Sequence, residues 1–271
     1  MAATLSLSEI EDLTKFAEDL ADLSGKTVLP FFRRPIPVDN KLGVGGFDPV
    51  TQADRDAETS MRALIAKHFP THGILGEEHG HAPGSAGLTW VLDPIDGTRA
   101  FVCGMAQWGT LIALNDGERP VLVVLDQPFL RERWVSANGQ TLFRRDGEPS
   151  RVLKTRECSE LAHAVLSTTS PVGYFDEAEQ HAFWSVSGRA KLTRFGGDCY
   201  AYGLLAMGFI DLIIEASLKP WDIQALIPVI ENAGGVVTDW TGKSAIEGGR
   251  VVACGDARLH AAVLEVLAAG R

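Results

Sequence analysis

Two stretches near the start of the chain place apolar residues at helical spacing. The first is formed by Ile10, Leu13, Ala17 and Leu20. It overlaps Ser8-Glu9-Ile10-Glu11, whose Ser-x-x-Glu pattern is that of a capping box, so the helix is predicted to begin near that serine. Gly25 and Pro30 are expected to weaken or kink its far end. The second pattern predicts a helix over 52–69, which Pro70 ends.

Short apolar runs separated by turns predict strands over the rest of the chain. The run at 90–92 is followed by strands at 110–114, 121–126, 133–137 and 141–144, and Asn138-Gly139 is a hairpin signal between the last two. Later strands are predicted at 164–167, 192–195, 212–215, 236–238 and 251–253. Later helices are predicted at 175–187, 200–207, 258–268 and, with a kink at Pro228, 221–233. Segments 33–47 and 79–87 are rich in glycine and polar residues and are predicted to be loops.

The chain length and one short segment suggest how the chain is divided. With 271 residues, the chain is long enough for one or two domains. Residues 154–158 can serve as a linker. We therefore expect an N-terminal half, 1–153, and a C-terminal half, 154–271, that together form one compact unit.

Composition narrows the class of protein. The chain is 45% hydrophobic and 22% charged, which is typical of a globular protein. Its 35 acidic and 25 basic residues give a formal charge of -10, which disfavours a nucleic-acid partner. No apolar run reaches membrane-spanning length, and residues 1–11 lack the pattern of a signal peptide. The scattered cysteines are expected to be reduced thiols in a cytoplasmic protein: Cys103, Cys158, Cys199 and Cys254.

The strongest chemical signal lies where the strand at 90–92 ends. Asp93-Pro94-Ile95-Asp96-Gly97-Thr98 places two carboxylates three residues apart, directly before a Gly-Thr step. Carboxylates clustered at a strand end supply the oxygen ligands that Mg²⁺ prefers. If Gly97 and Thr98 open a helix, their free N–H groups can hold a phosphate beside the metal. Phosphoryl chemistry on a small anionic substrate is therefore expected at this point.

Three further acidic residues stand where a loop or strand meets a turn, namely Asp48, Glu77 and Asp222. Each also has an ordinary structural explanation. Asp48 or Asp222 can be a helix N-cap, and Glu77-Glu78 can be a solvated pair. The histidines show no metal-ligand spacing, so a zinc site is not expected.

Together these motifs resemble the inositol monophosphatase superfamily. The resemblance rests on Gly76-Glu77-Glu78, the 93–98 segment and Trp221-Asp222, in that order, and 47–54 and 234–239 match two further motifs. It implies an α+β fold, a layered αβαβα sandwich of the inositol monophosphatase/fructose bisphosphatase type. It also implies hydrolysis of phosphate monoesters with two or three Mg²⁺ ions, and inhibition by Li⁺. Members are often dimers, so a homodimer is a further expectation.

The resemblance also implies a set of metal ligands, most of them in the N-terminal half: Glu77, Asp93, Asp96, Asp222 and the backbone carbonyl of Ile95. Asp93 would bridge two ions, and Glu77 would also touch a third, weaker one.

Catalytic roles are implied in the same way. Thr98 and Asp48 would form the pair that deprotonates the attacking water, with Glu77 as a further catalytic residue. The amides of Gly97 and Thr98 would bind the phosphate, because they gain contacts with its oxygens in the transition state.

Within the superfamily, the chain is most similar to the histidinol-phosphate phosphatases. The similarity rests on segments 99–101, 125–128, 195–202 and 215–228. L-histidinol phosphate carries an amine and an imidazole, so its site needs carboxylates beyond the metal cluster, and Asp198 and Glu215 are the candidates. Arg99 could hold phosphate or pair with a carboxylate. Lys41 could lie on a lid that closes over the phosphate, or be a solvated loop residue.

The sequence therefore predicts Mg²⁺-dependent hydrolysis of L-histidinol phosphate to L-histidinol and phosphate, a step of histidine biosynthesis. The alternative is a phosphatase for inositol monophosphate or other sugar phosphates. A metal-binding protein without catalysis is a third hypothesis, and the presence of every required carboxylate argues against it. Asp198 could instead cap a helix and Glu215 end a strand in solvent. Three aromatic residues could stack on the imidazole or belong to the core: Trp108, Tyr200 and Tyr202.

Overall fold

The computed structural model describes residues 5–41 and 49–270. The helices are α1 (Leu7–Val28), α2 (Gln52–His68), α3 (Thr98–Val102), α4 (Pro171–Tyr174), α5 (Glu177–Ser187), α6 (Asp198–Ala206), α7 (Pro220–Ile223), α8 (Leu226–Glu231) and α9 (Ala257–Ala269), with a 3₁₀ turn at Leu161–His163. The strands are β1 (Val38–Asn40), β2 (Pro49–Thr51), β3 (Gly73–Gly76), β4 (Gly80–Ala82), β5 (Thr89–Asp96), β6 (Gly109–Asn115), β7 (Pro120–Gln127), β8 (Glu132–Ala137), β9 (Gln140–Arg145), β10 (Arg151–Val152), β11 (Val165–Thr168), β12 (Leu192–Phe195), β13 (Leu212–Leu218), β14 (Val236–Asp239) and β15 (Gly249–Cys254).

Two large sheets alternate with three helical layers, and β1 and β2 form a separate two-stranded sheet. The first has the order β10-β9-β8-β7-β6-β5-β3-β4 and the second the order β12-β11-β13-β15-β14. Apolar residues of α1 and α2 pack on one face of the first sheet. Its other face and one face of the second sheet enclose α6 and α8, and α5 and α9 cover the outer face of the second sheet. This is the predicted αβαβα sandwich, in which each sheet buries both faces. The division into halves at 153/154 stays a prediction.

Most predicted elements are present, with several corrections, one of which is that the predicted loop 33–47 contains β1. The capping box of α1 uses Ser6 instead of Ser8: the Ser6 hydroxyl accepts from the Glu9 N–H at 3.3 Å, and the Glu9 carboxylate accepts from the Ser6 N–H at 2.8 Å. α1 continues through Gly25 to Val28, and a Cβ on Gly25 would lie only 3.0 Å from Pro128 Cβ, so the missing side chain lets α1 pack closely. The predicted loop 79–87 contains β4, which pairs with β3.

The predicted helix over 221–233 is two helices, α7 and α8, and the break between them does not lie at Pro228. Pro228 is the third residue of α8, where the backbone N–H has no acceptor within the helix, so a proline is tolerated there. Its carbonyl accepts the hydroxyls of Ser136 at 2.8 Å and Thr141 at 3.3 Å. These bonds tie α8 to the first sheet.

An irregularity in the pairing of β5 with β6 shapes the end of β5. Asp93 pairs with Leu111, but Asp96 pairs with Gly109, so three steps along β5 match two along β6. In a regular strand, residues three apart point to opposite faces. The extra residue, next to Pro94, is a bulge that re-aims Asp96 toward the side of Asp93.

Among the described residues, no helix is both long enough and apolar enough to cross a lipid bilayer.

Helix α6 lies unusually close to the first sheet at Gly203. A Cβ on Gly203 would come within 2.6 Å of Trp134 Cε2, and Trp134 is fully buried. We expect Gly203→Ala to lower the free energy of unfolding by about 1–3 kcal/mol through overpacking. The measurement is denaturant unfolding, repeated in a Trp134→Phe background, where the six-membered ring of the indole is absent. An equal loss in both backgrounds would contradict this close contact.

Candidate active site

Three carboxylates from two parts of the chain meet at the end of β5. One oxygen each from Asp93, Asp96 and Asp222 lies within 4.8 Å of the others. Asp93 and Asp96 come from β5, and Asp222 from α7. The first sheet and the helical layer between the sheets therefore bring together residues that are far apart in the sequence.

Backbone amides hold each of these carboxylates in place. The Ile95 N–H donates to Asp93 Oδ1 at 3.0 Å, and the Cys199 N–H donates to Asp96 Oδ2 at 2.7 Å. The Lys219 N–H donates to Asp222 Oδ2 at 2.7 Å, at the first turn of α7. One oxygen of each side chain is thus anchored, and the other can serve a ligand.

The electrostatics of the cluster call for a cation. Burial raises the pKa of Asp93 well above its ordinary value, and the charges of Glu77, Asp96 and Asp222 raise it further. The pKa values of Asp96 and Asp222 are also raised by burial, and the charge of Asp96 adds to the shift of Asp222. A buried cluster of like charges is costly unless it is neutralised. The oxygen-only donor set fits a hard divalent cation such as Mg²⁺.

Glu77 lines the same cavity, but it is engaged by Lys41. The Lys41 ammonium donates to Glu77 Oε1 at 2.7 Å and to Glu78 Oε1 at 2.6 Å. Although burial alone would lower it, the pKa of Lys41 is raised by these two carboxylates. Lys41 therefore contacts the acidic side of the site.

Thr98 faces a carboxylate that the sequence analysis assigned no role. Its hydroxyl lies 3.5 Å from Asp54 Oδ1 and donates to the Ile95 carbonyl at 3.0 Å. The other Asp54 oxygen accepts from the N–H and hydroxyl of Thr51, at 2.8 and 2.6 Å. Burial raises the pKa of Asp54 to about 6. The expected partner of Thr98, Asp48, lies outside the described residues.

Glu58 is a second residue that sequence reasoning missed. It follows Asp54 by one helical turn on the buried face of α2 and is fully buried. Its carboxylate accepts from the Glu78 N–H at 2.7 Å and from Arg62 Nε at 2.6 Å. Glu58 thus fixes the turn that carries Glu77. Its four-residue spacing from Asp54, on a face otherwise lined with alanine and methionine, was the available signal.

The two predicted recognition carboxylates lie in the same cavity as the acidic cluster. Glu215 is 3% exposed, so it does not end its strand in solvent. Its carboxylate accepts from the Thr169 N–H at 2.7 Å and the Thr168 hydroxyl at 3.3 Å. Asp198 begins α6 with a left-handed φ of 43°, and burial together with Asp96 and Glu215 raises its pKa well above normal.

Gly97 and Arg99 also line the cavity. Gly97 has a φ of 87°, and a Cβ there would lie 2.7 Å from the Gln107 carbonyl and 3.1 Å from Asp198 Cβ, so only glycine fits between them. The Arg99 guanidinium lies over the Tyr174 ring, 4.4 Å from its centroid, and its charge partly offsets the raised pKa of Asp198. Arg99 thus lies near Asp198 and Tyr174 in the cavity.

The three aromatic candidates lie in different surroundings. Trp108 is fully buried in a cluster with Phe32 and Phe101. Tyr200 donates its hydroxyl to Glu132 at 2.7 Å and packs edge-on against Trp134. Of the three, Tyr202 alone lines the cavity.

Comparison with known proteins identifies the family of this chain. Residues 9–270 match the inositol monophosphatase family. A bifunctional phosphatase IMPL2, chloroplastic, of Arabidopsis thaliana is 44% identical over 97% of this chain and 77% of its own length. A histidinol-phosphatase of Chlorobaculum parvum is 36% identical over 86% of this chain and 87% of its own. An inositol monophosphatase structure from Zymomonas mobilis has a TM-score of 0.84 and 42% identity, covering 97% of this chain and all of that one.

The fold and the acidic site are those of a phosphatase of the inositol monophosphatase superfamily. The chain belongs to the inositol monophosphatase family, with histidinol-phosphatases among its relatives.

Glu215 allows the cost of a buried charge in this cavity to be measured. Burial raises its pKa to about 7, whereas an unfolded glutamate has a pKa of about 4.3. Protonated Glu215 therefore contributes fully to stability below the pKa of the unfolded state. This contribution is lost as pH rises through the pKa of the folded state. We expect the wild type to lose thermal stability relative to Glu215→Gln between pH about 5 and about 8, in EDTA. A difference that stays constant over this range would contradict the buried, raised-pKa assignment.

Proposed function

We propose that this protein is a Mg²⁺-dependent phosphatase that hydrolyses L-histidinol phosphate to L-histidinol and phosphate. One observation carries the proposal: a second pair of buried carboxylates, Asp198 and Glu215, shares a cavity with the Asp93, Asp96 and Asp222 cluster. A phosphate bound by cations in this cavity thus has further anionic groups beside it. That arrangement suits a phosphate ester whose alcohol part is itself cationic.

The acidic cluster would hold the metal. Asp93, Asp96 and Asp222, with Glu77 and the Ile95 carbonyl, would bind two or three Mg²⁺ ions, and Li⁺ would inhibit. Such ions supply charge neutralisation of the phosphate and a lower pKa for the attacking water. Glu77 would exchange its Lys41 partner for a cation of higher charge. Gly97 and Thr98 would contact the phosphate oxygens.

Asp54 and Thr98 are suited to receive the proton of the attacking water. Thr51 occupies one oxygen of Asp54, which leaves Oδ1 facing the Thr98 hydroxyl. A carboxylate with a pKa of about 6 is mostly ionised at neutral pH, and it remains a stronger base than an ordinary aspartate. Asp48, the partner expected for Thr98 from the sequence, lies outside the described residues and stays a proposed member of this catalytic group.

Recognition of the alcohol part would fall to Asp198 and Glu215. Threonine donors from one side hold Glu215, so its position does not depend on the substrate. The ammonium and imidazole of histidinol would offset the raised pKa values of both carboxylates. Arg99, stacked on Tyr174, balances part of this negative charge.

Hydrolysis of inositol monophosphate is the second candidate. It is favoured by the name of the Zymomonas mobilis relative, whose structure this chain resembles over 97% of its length, and the Arabidopsis relative is called bifunctional. A polyol would use the same cavity through hydrogen bonds from its hydroxyls. A homodimer and a cytoplasmic location are further proposals that rest on the family and on the composition.

The deciding experiment compares phosphate release from L-histidinol phosphate and from inositol 1-phosphate, with Mg²⁺ and then with EDTA. We expect a Mg²⁺-dependent rate that is far higher on histidinol phosphate, because only that substrate presents cations to Asp198 and Glu215. Asp93→Asn serves as the inactive control, since it removes the central ligand while the fold survives. A preference for inositol 1-phosphate would overturn the assignment to histidinol phosphate and leave the phosphatase class intact.

Asp54→Asn tests the proposed proton acceptor. Asparagine can still accept from Thr51 and so keep the helix cap, but it cannot take a proton. We expect kcat to fall by about 100-fold or more, the usual size of a general-base contribution. The matched control is Asp56→Asn on the same helix, where the carboxylate accepts from Gln52. Near-normal kcat in Asp54→Asn would exclude Asp54 as the base.

A further inference from the structure

Tyr174 is a half-buried aromatic residue that lines the active-site cavity. The Arg99 guanidinium lies over its ring, with Cζ 4.4 Å from the ring centroid. A guanidinium within about 6 Å of an aromatic centroid makes a favourable cation–π contact. The backbone of α4 is also close to Arg99, since a Cβ on Gly173 would lie 4.0 Å from Arg99 Nη1. The segment that carries Tyr174 therefore forms a seat for the guanidinium.

Hydrogen bonds to β13 fix this segment at both ends. At its start, the Thr169 N–H and hydroxyl both donate to Glu215 Oε1, at 2.7 and 3.0 Å. At its end, the Ser217 hydroxyl donates to the Tyr174 carbonyl at 2.7 Å. Glu215 and Ser217 are two residues apart on β13, so segment 169–174 is fastened to one short stretch of strand. Tyr174 thus has a fixed position beside the stretch that carries Glu215.

The Asp198 carboxylate lies next to the chain that leads to Arg99. A Cβ on Gly97, two residues before Arg99, would lie 3.2 Å from Asp198 Cγ. An arginine side chain is long and has many rotamers, so this carboxylate is an alternative partner for the guanidinium. Contacts between arginine and a carboxylate are among the strongest hydrogen-bonded pairs in proteins. The contact with the Tyr174 ring competes with such a pairing.

We propose that Tyr174 is a positioning residue for substrate recognition, whose ring holds Arg99 away from Asp198 and Glu215. Both carboxylates then remain available to the cationic alcohol part of the substrate. The inference rests on the proposed hydrolysis of L-histidinol phosphate. Without the ring, Arg99 would turn to a carboxylate, and the substrate ammonium would have to displace a guanidinium in order to bind. An ester with a neutral alcohol part does not depend on these charges.

The test compares two esters that both carry a flat ring, of which only one is cationic. The full-length enzyme with Mg²⁺ is assayed on L-histidinol phosphate and on p-nitrophenyl phosphate, whose alcohol part is neutral. We expect Tyr174→Leu to raise KM for L-histidinol phosphate by about 10-fold, the size of one cation–π contact. Its kcat, and KM for the aryl ester, should change little. Tyr174→Phe is the matched control, because it keeps the ring and should behave like the wild type.

Arg99→Met shows whether Tyr174 acts through Arg99. In that background, Tyr174→Leu should not raise KM further, because no guanidinium is left to move. An effect that persists there would assign the ring a direct contact with the substrate and overturn the proposal. Equal losses on both esters, or an unchanged KM in Tyr174→Leu, would also overturn it. Thermal unfolding verifies that each variant is folded, and Tyr174→Met is a second ringless variant should the leucine variant be unstable.

The wild type separates this inference from the proposed function. If the wild type hydrolysed neither ester, the phosphatase function itself would fail. If it hydrolysed the aryl ester alone, the proposed substrate and this inference would fail together. If it hydrolysed L-histidinol phosphate and Tyr174→Leu left the KM unchanged, only this inference would fail.

Discussion

Mutual repulsion among buried carboxylates is the constraint on which this structure depends. Asp93, Asp96 and Asp222 share one small volume, and Glu77, Asp198 and Glu215 line the same cavity. Their pKa values are all raised, first by burial, and for most of them also by one another. A fold that brings these groups together does so for cationic ligands, since only opposite charge makes such an arrangement favourable.

Hydrogen bonds and close packing elsewhere in the fold hold these carboxylates in place despite their repulsion. A bulge between Asp93 and Asp96 turns both aspartates of β5 to the same side. The backbone amides of Ile95, Cys199 and Lys219 hold the carboxylates, and Glu58 holds the turn that carries Glu77. Close packing also fixes the segments that carry these groups, since Gly97 lies against Asp198 and Gly203 lies against Trp134. Stability and catalytic geometry therefore depend on the same close contacts.

Asp54 combines a hydrogen bond within its own segment with a contact to a distant residue. The Thr51-x-x-Asp54 pattern is a capping box and acts as one, since Asp54 accepts from the Thr51 N–H. The same residue turns its second oxygen to Thr98, which lies 44 positions along the chain. A local sequence pattern explains only the hydrogen bonds that such a residue makes within its own segment. The hydroxyls that bind the Pro228 carbonyl likewise come from β8 and β9, so their contact with α8 could not be found in the 221–233 segment alone.

The sequence by itself determined the alternation of helices and strands and the acidic motif, because periodicity, turn residues and contiguous motifs are local properties. The αβαβα class followed from the resemblance of these motifs to a known family. It also placed Glu215 and Asp198 among the candidates. Tertiary structure alone decided that Thr98 meets Asp54, that Lys41 meets Glu77, and that Tyr202, unlike Tyr200, enters the cavity. Those pairings depend on how the layers stack and on which face of a helix is covered. No single segment of the sequence contains that information, because the paired residues are far apart along the chain.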